Sequence, residues 1–140
     1  MTSPGRRFPR AARLLRPADF SRVYGRRASA AAGPVVVYAA PNRTADGAVR
    51  LGLSVSRRIG NAAVRNRWKR VLREAFREVR GDLPAGNDVV IVVRSGTAPV
   101  GAEAATLLRA SLVTLVRKVT ARSGYAQDRA GDAAAPRRKR

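Results

Sequence analysis

The chain has 140 residues and carries 29 Lys+Arg against 9 Asp+Glu, a formal charge of +20. That length suits one compact domain with ragged ends, and that charge calls for a polyanionic partner. Cysteine and histidine are both absent. Disulfides and thiolate metal sites are therefore excluded, a reducing compartment such as the cytoplasm is the natural setting, and the common general base near neutral pH is missing.

In chain order, residues 1–13 read as a flexible basic N-terminus. They are rich in arginine and poor in acids, and with the small residues of Ser29 to Gly33 they could imitate a transit peptide. A structural first helix is the preferred reading: Arg16 to Tyr24 has Pro17 in its first turn, Asp19 near its positive end, and Phe20, Val23 and Tyr24 on one side. Pro34 to Ala40 is β-branched and reads as a strand, followed by a loop from Asn42 to Gly47 and a returning strand from Val49 to Ser56. That second strand alternates, with Val49, Leu51, Leu53 and Val55 on one face and Arg50, Gly52, Ser54 and Ser56 on the other. One sheet face is thus core, and the other is shallow, polar and accessible.

A cationic helix follows, with Asn61 as N-cap and Gly81 and Pro84 as stop signals. Advancing about 100° per residue from Val64, an apolar sector gathers Val64, Trp68, Val71, Leu72, Ala75, Phe76 and Val79. The opposite sector gathers Arg65, Asn66, Lys69, Arg70, Arg73, Arg77 and Arg80. Glu74 and Glu78 lie at the flank, and Glu74 has ion-pairing spacing to Arg70 and Arg77. A merely solvated face mixes charge signs, whereas residues 57–80 hold nine cations against two anions. The apolar stripe, including Trp68 and Phe76, is core, and the cations face a polyanion. Of all the basic residues only Lys69, Lys118 and Lys139 are lysines, and the guanidinium fork suits phosphate and stacks on bases.

Asp88 to Arg94 is a continuous apolar run, a central strand. Glu103 to Val119 is a last helix with an inner stripe of leucine and valine, and residues 120–140 read as a disordered basic tail. The order is α-β-β-α-β-α, with no internal repeat. No apolar run reaches the ~18 residues of a spanning helix, and bulky core residues on the amphipathic helix argue against a membrane-surface role.

Little chemistry is available to the chain alone. The acids are too scattered to hold the ions of a metal-dependent nuclease. Ser54 and Ser56 have no base to activate them, and no glycine-rich phosphate loop with its lysine precedes a helix. No catalytic residue and no metal ligand is assigned.

The run Gly52-Leu53-Ser54-Val55-Ser56-Arg57-Arg58-Ile59-Gly60-Asn61-Ala62, continued by Arg65-Asn66-Arg67, Lys69, Arg70, Arg73, Ala75 and Phe76, resembles the protein subunit of bacterial ribonuclease P. That ribonucleoprotein is an endonuclease of tRNA processing, a hydrolase that removes the 5′ leader from precursor tRNA. The resemblance runs from about residue 14 to 119, with Asp19, Phe20 and Tyr38 at secondary matching positions. Tyr24 stands where phenylalanine is frequent, and Trp68 where an aliphatic residue is common. The resemblance implies a single-domain α+β fold, an α/β sandwich like a domain of one ribosomal protein, with a left-handed βαβ crossover. It also implies that catalysis resides in the RNA subunit, through a water activated by RNA-bound Mg²⁺. The protein alone would be inactive, and no protein partner is implied.

Carried over by residue, Arg65, Asn66, Arg67, Lys69, Arg70 and Arg73 become the catalytic-RNA face, with Arg57, Arg58 and Asn61 beside it. Asn61 serves equally as a plain N-cap. Phe20, Tyr24 and Tyr38 become lining groups of a cleft for the precursor-tRNA leader, with Arg50 for its phosphate. From the residues alone Phe20 reads as core, and Tyr38 is the better candidate. Two other classes stand beside this one. A structural ribosomal-type RNA-binding protein would need no open aromatic cleft; a protein-only nuclease is disfavoured by the absent histidine and scattered acids.

Overall fold

In the computed structural model, residues 12–42, 44, 46–122 and 124–125 are described. Helix α1 spans Pro17–Gly25, strands β1 Ser29–Ala32, β2 Val35–Pro41 and β3 Arg50–Val55 follow, then helix α2 Ala62–Val79, strand β4 Asn87–Val93 and helix α3 Ala102–Thr120. A 3₁₀ turn at Arg57–Ile59 leads into α2, and another at Arg80–Asp82 closes it. Gly81 therefore sits inside the terminating turn rather than just beyond the helix.

The four strands form one sheet in the order β1-β2-β4-β3. β1 and β2 are antiparallel, as are β2 and β4, whereas β3 runs parallel to β4 with α2 as the connection. Two features depart from the sequence reading. Ser29–Ala32 is an edge strand joined to β2 through Gly33-Pro34, with Gly33 at φ +56, the conformation a two-residue hairpin asks of its first turn residue. β4 also inserts between β2 and β3, so the strand bearing Tyr38 is not hydrogen-bonded to the strand bearing Arg50 and Gly52.

Alternation along the strands divides the sheet into two faces. On one face Val35, Val37, Ala39, Val49, Leu51, Val89, Ile91 and Val93 pack against Trp68, Leu72, Phe76, Leu112, Val116 and Val119 of α2 and α3. On the other, Ala40 and Val90 join Leu14 and Val23 in a smaller cluster, with Phe20, Tyr24, Tyr38 and Val92 packed around it. The result is a three-layer sandwich: α1, the sheet, then α2 with α3. Burial of long apolar side chains on both faces is what stabilises so cationic a chain.

The ends pack further than the sequence boundaries imply. Ala12 is buried, Arg13 bridges Leu51 in parallel, and the Leu14 N–H donates to the Leu51 carbonyl at 2.8 Å. After α3, Tyr125 is buried and its hydroxyl donates to Asn87 Oδ1 at 2.6 Å. Arg26 lies over the Tyr125 ring, 5.0 Å from its centroid. The remainder of the predicted basic N-terminus and tail, residues 1–11 and 126–140, lies outside the described residues.

Candidate nucleic-acid interface

The cationic helix is built as its sequence dictates. The Asn61 side chain accepts the Val64 N–H at 3.0 Å, satisfying one of the unpaired donors at the helix start. Gly60 precedes it because a Cβ there would lie 2.8 Å from Val64 Cγ1. Trp68 is fully buried, and its indole N–H donates to the Gly96 carbonyl at 3.2 Å. Leu72, Ala75, Phe76 and Val79 complete the buried stripe.

The opposite face carries Asn66, Arg67 and Arg70 exposed, with Arg57, Arg58 and Asn61 exposed just before the helix. Arg65, Lys69 and Arg73 are half-buried. Arg65 is held back against the glycine turn, its Nε donating to the Gly60 carbonyl at 3.2 Å. The sequence anticipated ion pairs from Glu74 to Arg70 and Arg77. Among the described residues neither Glu74 nor Glu78 takes part in a salt bridge, so the cations of this face keep their full charge for another molecule.

The second surface lies on the far side of the sheet, beneath α1, in three rows set by strand register. The first row is Ala40–Asp88–Arg50, the second Ser29–Tyr38–Val90–Gly52, and the third Ala31–Val36–Val92–Ser54. Asp88 is fully buried and saturated with donors. Arg50 reaches it through Nε at 2.8 Å and NH2 at 2.7 Å, Asn42 Nδ2 donates at 2.9 Å, and Arg22 of α1 donates to its second oxygen. The other arm of Arg22 donates to the Pro41 carbonyl at 2.9 Å. Hydrogen bonding to Asp88 raises the Arg50 pKa against the opposing effect of burial, so this arginine is fixed in its charged form. Arg50, assigned by sequence to the leader phosphate, thus directs its fork at Asp88 of the neighbouring strand, and Arg22 ties α1 to the same carboxylate.

α1 covers the first two rows. Phe20 packs against Gly52, where an added Cβ would meet its ring at 2.8 Å, and Tyr24 meets Tyr38 edge to face with centroids 5.0 Å apart. Phe20 and Tyr24 are 6.5 Å apart. Burial raises the Tyr24 pKa, while a hydrogen bond with Ser54 pulls it down, so the phenol stays protonated and polar at the cleft edge. The third row is left half-exposed, a shallow trough of Val36, Val92 and Ser54 walled by Tyr24 and Tyr38. Arg94 follows Val92 by two residues on this face and is exposed, its Nε donating to the Gly33 carbonyl at 2.9 Å. As a strand-end arginine it reads as ordinary solvated charge in sequence.

The structure therefore gathers Phe20, Tyr24 and Tyr38 in one cluster and the residues from Arg57 to Arg73 in another, with the sheet between. Asp88 and Arg22 were missed because their partners lie far away in sequence. Among the described residues no three His, Cys, Asp or Glu side chains form a metal-holding group.

A sequence profile of the family described as Ribonuclease P matches residues 8–120. Among curated proteins, the ribonuclease P protein component of Brevibacillus brevis is 43% identical over 95 residues, covering 68% of this chain and 75% of that one. That of Geobacillus kaustophilus is 35% identical over 106 residues, covering 76% and 84%. Among solved structures, the RNase P protein of Thermotoga maritima superposes with a TM-score of 0.61 at 28% identity, covering 76% and 96%. The Staphylococcus aureus RNase P protein gives a TM-score of 0.56 at 31% identity, covering 79% and 93%.

Proposed function

Since the chain belongs to the ribonuclease P protein family and has the role of that enzyme's protein component, we propose a division of labour between its two surfaces. The α2 face, with Arg57, Arg58, Asn61, Arg65, Asn66, Arg67, Lys69, Arg70 and Arg73, assembles with the catalytic RNA. The trough beneath α1, lined by Phe20, Tyr24 and Tyr38, receives the single-stranded 5′ leader of precursor tRNA. The work is done in the cytoplasm, where both RNAs are made.

One observation carries this reading: a helix face of cations with no carboxylate partner among the described residues and an aromatic trough occupy opposite sides of one sheet. Two RNAs can then be held at once, the two surfaces meeting at Phe20 beside the outer edge of β3. Phosphates neutralised on the α2 face release counterions and supply salt-dependent affinity. The tyrosine pair offers π-faces to unpaired bases of any sequence, as a variable leader requires.

The chain has no histidine, among the described residues no cluster of carboxylates could hold an ion, and the buried Asp88 is taken up by Arg22 and Arg50. In this proposal magnesium ions carried by the RNA activate the attacking water. The protein binds and orients: fixing the leader on a rigid surface lowers the entropy cost of bringing the scissile phosphate to the RNA active centre.

The test is leader removal from precursor tRNA with Mg²⁺, by protein alone, by RNA subunit alone, and by the two together. We expect cleavage by the mixture at magnesium concentrations where RNA alone is slow, and none by protein alone. Cleavage by protein alone would overturn the assignment of chemistry to RNA.

A further inference from the structure

A small cavity of about 140 Å³ opens beside the cationic helix, between the segment leading into α1, the outer edge of β3, and α2. Its lining divides by chemistry. Phe20, Leu51 and Leu53 form an apolar floor, Leu14 and Leu15 one wall, and Arg13, Lys69 and Arg73 the rim. Leu15 is unusual in exposing 53% of its surface, although the neighbouring Leu14 is buried. Lys69 and Arg73 have no salt bridge or hydrogen bond among the described residues.

β3 is an outer strand of the sheet, and among the described residues its edge is capped at Leu51, by the Arg13 bridge and the Leu14 N–H. Backbone groups alternate in direction along a strand, so the Leu53 N–H and C=O point outward on the same edge. They have no partner among the described residues. The site thus offers a slot with an apolar floor, a free backbone donor and acceptor at its side, and cations at its mouth. A phosphate alone would need no apolar slot, and an aliphatic ligand would leave the cations and the strand edge unused.

We infer that this cavity receives one unstacked nucleobase of the catalytic RNA, lodged between Leu15 and the Phe20–Leu53 floor, with its flanking phosphates on Lys69 and Arg73. The inference rests on the reading of α2 as the catalytic-RNA face and deepens it from phosphate contact to capture of a base. The base edge pairs with the Leu53 backbone, and the apolar walls replace the stacking the nucleotide gives up.

Leu15→Ser tests this without touching the buried core. Binding of the full chain to the catalytic RNA is titrated over a salt series, alongside Lys69→Gln/Arg73→Gln and the size-preserving Leu15→Met. Leu15→Ser should weaken binding roughly 5- to 10-fold at every salt concentration, because stacking carries no counterion release, and Leu15→Met should restore most of it. The Lys69/Arg73 double variant should instead flatten the salt dependence. Base-modifying reagents should find one nucleotide protected by the wild-type protein and exposed with Leu15→Ser, while backbone protections stay unchanged.

If Leu15→Ser binds normally while the double variant flattens the slope, the base pocket is overturned and the cationic face survives. If neither variant changes anything, the face itself fails. A loss confined to precursor tRNA binding by the assembled enzyme would also overturn the inference, because the captured base would then belong to the substrate.

Discussion

Asp88 lies fully buried between two guanidiniums that belong to different elements, Arg22 of α1 and Arg50 of β3. Removing the carboxylate leaves two cations facing each other at the joint that holds α1 on the sheet. Asp88→Ala should destabilise the fold by about 3 kcal/mol, the low end for a broken buried pair, since both arginines keep partial access to water. Urea unfolding reads it as a shifted midpoint; an unshifted one would mean the joint is carried by the apolar cluster alone. Trp68→Ala should cost about 3–5 kcal/mol for a fully enclosed ring that also donates to Gly96. Loss of RNA affinity at an unchanged melting temperature would contradict its placement. Tyr38→Ala removes one wall of the trough and should reduce holoenzyme affinity for precursor tRNA by about 1–3 kcal/mol, with mature tRNA unaffected. Equal losses for both RNAs would make Tyr38 a scaffold residue. At this scale the sequence was uneven. The buried stripe with Trp68 follows from local periodicity alone, but Asp88 reads as the lip of an apolar strand until Arg22 and Arg50, far away in sequence, are brought to it.

At the scale of elements, α2 separates its roles by face, so the exposed cations can be removed without loss of packing. Arg67→Ala with Arg70→Ala is the cleaner pair, because Arg65 also bonds the Gly60 carbonyl and its removal would disturb the helix entry. Each lost phosphate contact should flatten the slope of log affinity against log salt by roughly 0.7–0.9. An unchanged slope would move the RNA face off this helix. α2, β4 and α3 were legible from the sequence because each is long and its apolar pattern is unmixed. β1 was not, since three alanines and a serine have weak strand preference and burial decides their state; the Gly33-Pro34 turn was the available signal. The place of β4 between β2 and β3 was equally hidden, because strand order is a non-local property. The order shapes the trough: the floor beside Tyr38 is Val90 and Val92, with Gly52 and Ser54 one strand further, so the trough is more apolar than the strand patterns imply, and its depth comes from how α1 is set down.

Across the whole molecule, a charge of +20 on 140 residues means self-repulsion opposes folding. Raising sodium chloride from low to physiological concentration should therefore raise the melting temperature of the isolated protein while weakening its RNA binding. A melting temperature that falls over the same range would show that the stabilising Asp88 ion pairs outweigh the repulsion. The strand order has a further consequence, for how the molecule is made. β4 is the last strand synthesised, yet it is the one both β2 and β3 need as neighbour. A ribosome that has released β2, β3 and α2 has released every cation of the RNA face but not the strand that joins β3 to the β1–β2 hairpin. Because distant pairings are slow to form, the nascent chain emerges as an unorganised polycation, and both RNA surfaces come into being together once β4 is inserted.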